Sequence, residues 1–415
     1  LLQIRRENVT VHSNESANWA ERLGEVIPWG SSTCSKAARL MPEEPGVIVR
    51  GKGCRVWDAD GREFIDFRNA LGPVTLGYAY PAVNAAIREQ MDSGIVFGHP
   101  HPIEGEVAEL IREIIPCAEK VRFLKTGGEA SAACIRLARH HTKRDHIVQI
   151  GYNGWLNSLA GSRGSDPAHP SFSAPPGVPA AVSALHHACP WNDLPAVEEL
   201  FEQRGRDIAA VVVASAYENT EDGKAFYSSL RDITRQHGAL LIFDEIVTGF
   251  RVAIAGVQEY FGVVPDLAVF AKGMANGMPI STYLGAAEVM EGLHQAIVSS
   301  TYAGDALSLA ATRAAIQTYR EENVVDHLWS KGERLFDGLN GLFEQHGLPL
   351  ECDGFKCCPL IRMRDGAPPD TRDRFFRAAF GQGVSFYNVA YISFSHQDAD
   401  IDEALERVDA GIKSL

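Results

Sequence analysis

Asp244 and Lys272 are the residues of this chain whose types and spacing offer chemistry. Asp244 stands in LLIFDEIVTGFR and Lys272 in PDLAVFAKGMANGMP. Each follows an apolar run, Leu240–Phe243 in the first case and Leu267–Ala271 in the second, and each run then delivers one ionisable group. In an open parallel sheet, ligands bind beyond the carboxyl ends of the strands. A carboxylate and an amine delivered there suit pyridoxal phosphate, which takes a lysine for its Schiff base and an acid for its pyridinium nitrogen. Taken alone, the two residues read equally well as a helix-capping aspartate and a surface lysine.

Other segments bear on that choice. The run VRFLK is followed by Thr126, Gly127, Gly128 and Glu129, and then by a helical pattern with Ala130, Ala133, Cys134, Leu137 and Ala138 on one face. Paired glycines at a helix N-terminus let backbone N–H groups approach an anion such as a phosphate, although a plain tight turn uses glycines too. The run HIVQI ends in GYNGW, whose Tyr152 can stack on a flat ring or fill a rim. Ser300 and Thr301 precede Ala303-Gly304 and suit either phosphate contacts or a helix cap.

The elements that must position these residues can be read from periodicity. Strands are predicted at 121–124, 147–150, 209–213, 240–243 and 267–270, several of them apolar throughout, as parallel strands covered on both faces should be. Helices alternate with them, for example at 194–203 and 228–237, which predicts an α/β layered domain. A helix is predicted after Pro81. Asp60-Gly61 marks a hairpin between short strands. The segment from about 160 to 184 is long for a loop in a compact domain, and such loops are usually functional or mobile. Beyond Thr301, helices are predicted at 307–322, 325–346 and 399–415, with short strands near 358–363 and 390–395. The division expected is an N-terminal segment, residues 1–75, contributing to a small domain; a large cofactor-binding α/β domain, 76–305; and a C-terminal small α+β domain, 306–415.

Composition narrows the partners. At 415 residues the chain exceeds what one core usually holds. A net charge of −14, without a basic run, argues against nucleic-acid or anionic-membrane partners. No apolar stretch is long enough to span a bilayer. The opening residues LLQIRRENVTVHSNESANW lack the marks of a secretory signal, so a cytoplasmic location is expected. The eight cysteines fit neither a zinc site nor a redox pair, and they are expected to be free thiols in a reducing compartment, with no metal bound. The adjacent pair Cys357-Cys358 has no assigned role.

Taken together, VIPWGSSTCSK, DADGREFIDF, LGYAYP, RFLKTGGEA with IRLAR, GYNGW, IFDEIVTGFR, QEYFGVVPDLAVFAKG and TYAGDALSLAA resemble the class III aminotransferases, in particular the glutamate-1-semialdehyde 2,1-aminomutase-like subgroup. The resemblance covers nearly the whole chain, and DE-x-x-TGFR followed by PD and AKG is its most specific part. It implies the aspartate-aminotransferase-like fold of the fold-type I pyridoxal-phosphate enzymes, with a mainly parallel sheet in the large domain. It implies Lys272 as the Schiff-base lysine, Asp244 as the pyridinium partner, Gly127 and Gly128 as the phosphate cradle, Tyr152 stacked on the ring and Ile246 packed on its other face. Asn219 matches a contact to the cofactor's phenolic oxygen. Thr301 matches a threonine that reaches the neighbouring subunit's phosphate, which implies a homodimer with shared sites.

The departures fall on the substrate side. The family's Gly-Thr is Gly127-Gly128 here, its Glu-Pro is Ala214-Ser215, and its Tyr-His is Tyr152-Asn153. Lys36 stands where the mutase carries its carboxylate-binding arginine, and lysine lacks the bidentate fork. Arg68 in DFRNA is a possible substitute or a partner for an acid such as Asp66. Asn69 and Asn153, with Ser31 and Ser32, offer hydrogen bonds to a polyhydroxylated substrate. The expected activity is an aminotransferase working between a small-molecule amine and a ketone or aldehyde, with a sugar-type substrate as one lead. An intramolecular 2,1-aminomutase and an epimerase or ammonia-lyase remain open alternatives on the same scaffold. A non-catalytic cofactor-binding module is the reading from a different class.

Overall fold

The computed structural model describes residues 15–37, 41–156, 176–218 and 220–415. Its strands in chain order are β1 Ile48–Lys52, β2 Arg55–Asp58, β3 Glu63–Asp66, β4 Lys120–Leu124, β5 His146–Ile150, β6 His186–Cys189, β7 Ile208–Ala214, β8 Leu240–Asp244, β9 Leu267–Phe270, β10 Ser281–Gly285, β11 Leu350–Asp353, β12 Leu360–Met363 and β13 Val384–Ser385. A seven-stranded sheet in the order β4-β10-β9-β8-β7-β5-β6 forms the centre. β10 runs antiparallel to both of its neighbours, and the other pairs are parallel.

The continuous apolar strands follow from burial on both faces. Val211 and Val213 of β7 point into one core cluster while Ala210 and Val212 point into the other. Phe243 and Ile242 of β8 divide in the same way, as do Phe270 and Val269 of β9. Strands so covered need no polar face, which is why alternation is missing from their sequence. The helix Gly127–Thr142 buries Ala130, Ala133, Cys134, Leu137 and Ala138 against the second cluster, its small side chains allowing close approach to the sheet.

A second sheet joins distant parts of the chain. β1, β2 and β3 are antiparallel neighbours, and β13 pairs with β3 in parallel. The β2–β3 turn closes with Gly61 N–H donating to the Asp58 carbonyl, and Gly61 has a φ of 83° that glycine adopts without strain. β11 and β12 form a separate antiparallel pair.

The predicted helices are present, at Pro81–Ser93, Leu194–Arg204, Gly223–His237, Ala306–Glu321, Val324–Gln345 and Asp398–Ile412. One reading is corrected, at residues 390–395, and four strands are added. The strands β6, β10, β11 and β13 are additions to those the sequence predicts. Residues 390–395 form no strand: the N–H groups of Ala390, Tyr391 and Phe394 donate to Pro359, Phe67 and Thr75 respectively, so no ladder with one partner develops. The long 160–184 segment falls largely outside the described residues, and its end forms a short helix at Ala180–Ser183. Among the described residues, no helix is long and apolar enough to cross a membrane.

Candidate active site

The parallel pairing of β7, β8 and β9 brings their carboxyl ends together. Ala214 pairs with Asp244 and Asp244 with Val269, so Asp244 and Lys272 emerge side by side at the carboxyl ends of neighbouring interior strands. Asp244 is buried, and burial raises its pKa to about 6 against the opposing pull of the Ile246 N–H, the Lys272 charge and the Asn153 amide. Asn153 lies beside this carboxyl group without reaching hydrogen-bond geometry. Lys272 opens the 3-10 turn Lys272–Ala275 in a left-handed conformation, φ 46°. Burial lowers its pKa to about 8, with Asp244 opposing the shift and Arg251 adding to it.

Beside this pair, against Ile246, stands the N-terminus of the helix Gly127–Thr142. Thr126 and Glu129 form a capping box: Glu129 Oε2 accepts the N–H groups of Lys125 and Thr126, and the Thr126 hydroxyl accepts that of Glu129. The N–H groups of Gly127 and Gly128 are among the first of the helix and have no intrahelical acceptor. A methyl group added at Gly127 would stand 2.3 Å from Ile246 Cδ1, so glycine is what allows Ile246 to lie over the cradle. Tyr152 is exposed at the mouth, within electrostatic reach of Asp244, Cys34 and Tyr387. The anion-binding helix end, the buried acid and the buried amine with a lowered pKa together fit pyridoxal phosphate.

Thr301 is exposed and belongs to a loop outside this cluster. Its loop leads to the helix Ala306–Glu321, capped by Asp305, which accepts the Ser308 N–H and pairs with Lys125. Asp305 therefore takes the capping role that Ser300-Thr301 offered. Asn219 lies outside the described residues.

The substrate candidates separate. Arg68 is committed: Nη1 lies 2.9 Å from the buried Glu44 carboxylate, and Nη2 donates to the Ser35 carbonyl at 3.0 Å. Its acid partner is Glu44, whereas Asp66 takes the backbone N–H of Arg68. Lys36 is exposed in the short turn Cys34–Lys36. Asn69 is buried in a left-handed turn in which Asn69, Ala70, Leu71 and Gly72 have φ values of 50°, 50°, 73° and 100°. Three consecutive non-glycine residues in that region store backbone strain. Asn153 sits by Asp244. Ser31 Oγ donates to the Thr33 carbonyl and braces its own turn.

Residues not singled out in the sequence complete the surroundings. Arg251 is buried beside the left-handed turn, its Nη2 3.1 Å from the Gly72 carbonyl. Tyr217 and Tyr391 meet hydroxyl to hydroxyl at 3.3 Å. A buried, positively charged arginine at the end of TGFR is a signal the sequence carried, whereas the tyrosine pair joins segments too distant to be read together.

Residues 38–409 match the family described as Aminotransferase class-III. The glutamate-1-semialdehyde 2,1-aminomutase of Persephonella marina is 34% identical over 422 residues, covering 96% of this chain and 99% of that relative. Among solved structures, the FumI protein of Sphingopyxis sp. MTA144, in a form described as the PLP internal aldimine, superposes with a TM-score of 0.87 at 27% identity, covering 97% of this chain and 96% of the other. An omega-transaminase from Sphaerobacter thermophilus gives 0.86 at 27% identity, with 98% of each chain covered.

Proposed function

The chain belongs to the class-III aminotransferases and is a pyridoxal-phosphate enzyme, and from that premise we propose that it moves an amine between neighbouring carbons of one substrate, in the manner of a 2,1-aminomutase. The observation that carries this narrowing is the near full-length match to mutases. When bound, pyridoxal phosphate supplies an electron sink that lets a proton leave the carbon bearing the amine.

The chain's own residues do the rest. Lys272 Nζ would hold the cofactor and, as a free amine, would take and return the substrate proton as a general base. A pKa near 8 keeps a useful share of that amine neutral close to neutral pH. Asp244 would keep the ring nitrogen protonated, and the Asn153 amide favours its carboxylate form. Gly127 and Gly128 would receive the phosphate, and Ile246 and Tyr152 would enclose the ring. The partner subunit's Thr301 completes the phosphate site in a homodimer. That arrangement is supported by the exposure of Thr301 and by exposed apolar side chains nearby: Met91, Ile95, Val96, Phe97, Ile297 and Tyr302. The Ala306 N–H donates to the Ile95 carbonyl, which ties the 95–97 segment to the end of the Thr301 loop.

A transaminase that delivers the amine to a separate ketone or aldehyde is the second reading. It is favoured by the commitment of Arg68 to Glu44, which leaves the exposed Lys36 to meet a carboxylate without a guanidinium fork. Incubation with glutamate-1-semialdehyde decides between them. Conversion to 5-aminolevulinate that is lost on Lys36→Ala supports the mutase. No conversion, together with transfer of a labelled amine from a donor panel of amino sugars, diamines and amino acids to an added acceptor, supports the transaminase and overturns the first reading.

A further inference from the structure

We propose that Arg251 is a positioning residue for Lys272, clasping the left-handed turn ending at Gly72 and the segment at Ile392 onto the turn that carries the lysine. Arg251 is 1% exposed. Its Nη1 donates to the Ile392 carbonyl at 2.7 Å, and its Nη2 to the Gly72 carbonyl and Thr75 Oγ1, both at 3.1 Å. All these acceptors are neutral, and among the described residues no carboxylate pairs with it. A buried cation without a counter-ion is costly, and a structural anchor of that shape needs no charge.

Each acceptor also touches the lysine's surroundings. A methyl group at Gly72 would lie 3.7 Å from Lys272 Cδ and 3.4 Å from Tyr391 Cε1, so the stem of the lysine runs along this glycine. The guanidinium carbon stands 5.0 Å from the Tyr391 ring centre. A methyl group at Gly273, next to the lysine, would lie 2.8 Å from Thr75 Oγ1. Tyr319 closes the turn from the other side by donating to the Gly273 carbonyl at 3.0 Å. Arg251 thus fixes both walls along which Lys272 extends. Its uncompensated charge also disfavours a second cation nearby, in the direction of the lowered lysine pKa. Among the described residues, the titratable and charged groups packed around Lys272 are Asp244 from β8, Arg251, Tyr319 from the helix Ala306–Glu321, and Tyr391 with its partner Tyr217. The three phenols are pushed up by burial and stay neutral across the working range, leaving Asp244 and Arg251 as the opposed charges.

The inference rests on Lys272 being the cofactor lysine, and the test separates the two claims. In the cofactor-free protein, the pH dependence of Lys272 acylation, followed by mass spectrometry, gives the midpoint of its amine without any turnover. Arg251→Met is expected to raise that midpoint by about one pH unit. Arg251→Lys, which keeps a charge and loses the fork, is expected to hold the midpoint and to slow formation of the lysine–cofactor absorption band tenfold or more on adding pyridoxal phosphate. An unchanged midpoint in Arg251→Met, or a wild-type rate of band formation in Arg251→Lys, overturns the proposal. Should Arg251→Met not fold, Arg251→Lys carries the decision alone. If the unaltered protein forms no band, the cofactor role of Lys272 fails, while the acylation midpoints still report on Arg251.

Discussion

Lys272 works against its surroundings: its backbone is left-handed, its amine is largely buried and its pKa is held near 8. The free-base amine is the nucleophile, so the rate of cofactor attachment to the stripped protein is expected to rise with pH and level off above about 8, as absorbance would show. Asp244 opposes the lowering by attraction to the lysine cation. Asp244→Asn therefore moves the Lys272 midpoint further down, and it slows turnover by orders of magnitude because the ring nitrogen loses its partner. An upward shift in that variant would contradict the pairing. Lys272→Ala is expected to abolish both the absorption band and turnover. The type and place of these two residues were legible because each follows an uninterrupted apolar strand. The fate of Arg68 was not, because its partner Glu44 lies in a segment with no periodic pattern, and only folding brings the two within 2.9 Å.

Among the elements, the start of the helix Gly127–Thr142 and the segment after β8 are made for each other. Gly127→Ala drives a methyl group against Ile246 Cδ1. That is the far end of a flexible side chain, so the fold should survive while Ile246 is pushed off the cofactor's face. Cofactor affinity is expected to fall about tenfold, or about 1.4 kcal/mol, with little change in melting temperature. Adding Ile246→Ala to that variant should cost less than the sum of the single changes, since the clash is gone. Strict additivity in equilibrium dialysis would show that the two residues do not share the site. The motif DEIVTGFR can be read in the same terms. Asp244 goes to the site, and Arg251 to the turn at Gly72. Glu245 turns inward to accept the N–H groups of Val257 and Gln258 and the Thr248 hydroxyl, with Gly256 at φ 71° making room for its carboxylate. The apolar parallel strands were legible from their lack of alternation. β6 is not legible because HHAC carries two polar side chains, and β10 is not because STYLG, although the turn residues Asn276-Gly277 and Pro279 precede it, has no clean apolar run.

At the scale of the whole molecule, the chain brings its two ends into one sheet, β13 against β3, and sets the left-handed turn that follows β3 beside Lys272. One piece of the proposed site does not close within the subunit: Thr301 stays exposed, its loop tied back through Asp305 to Lys125 at the end of β4. If that loop serves a partner, two inactive variants should rescue each other. Lys272→Ala lacks the amine but offers an intact Thr301, and Thr301→Glu sets a carboxylate against phosphate but keeps Lys272. In a mixed dimer, one site then combines the good lysine of one subunit with the good threonine of the other, and the second site carries both defects. Random reassociation makes about half of the dimers mixed, so activity should recover to about a quarter of the wild-type level per subunit. Were Thr301 to act within its own subunit, every site in the mixture would carry one defect and no activity would return. Recovery that depends on a denature-and-renature step, and not on simple mixing, would further show that the shared site is assembled only when the dimer forms.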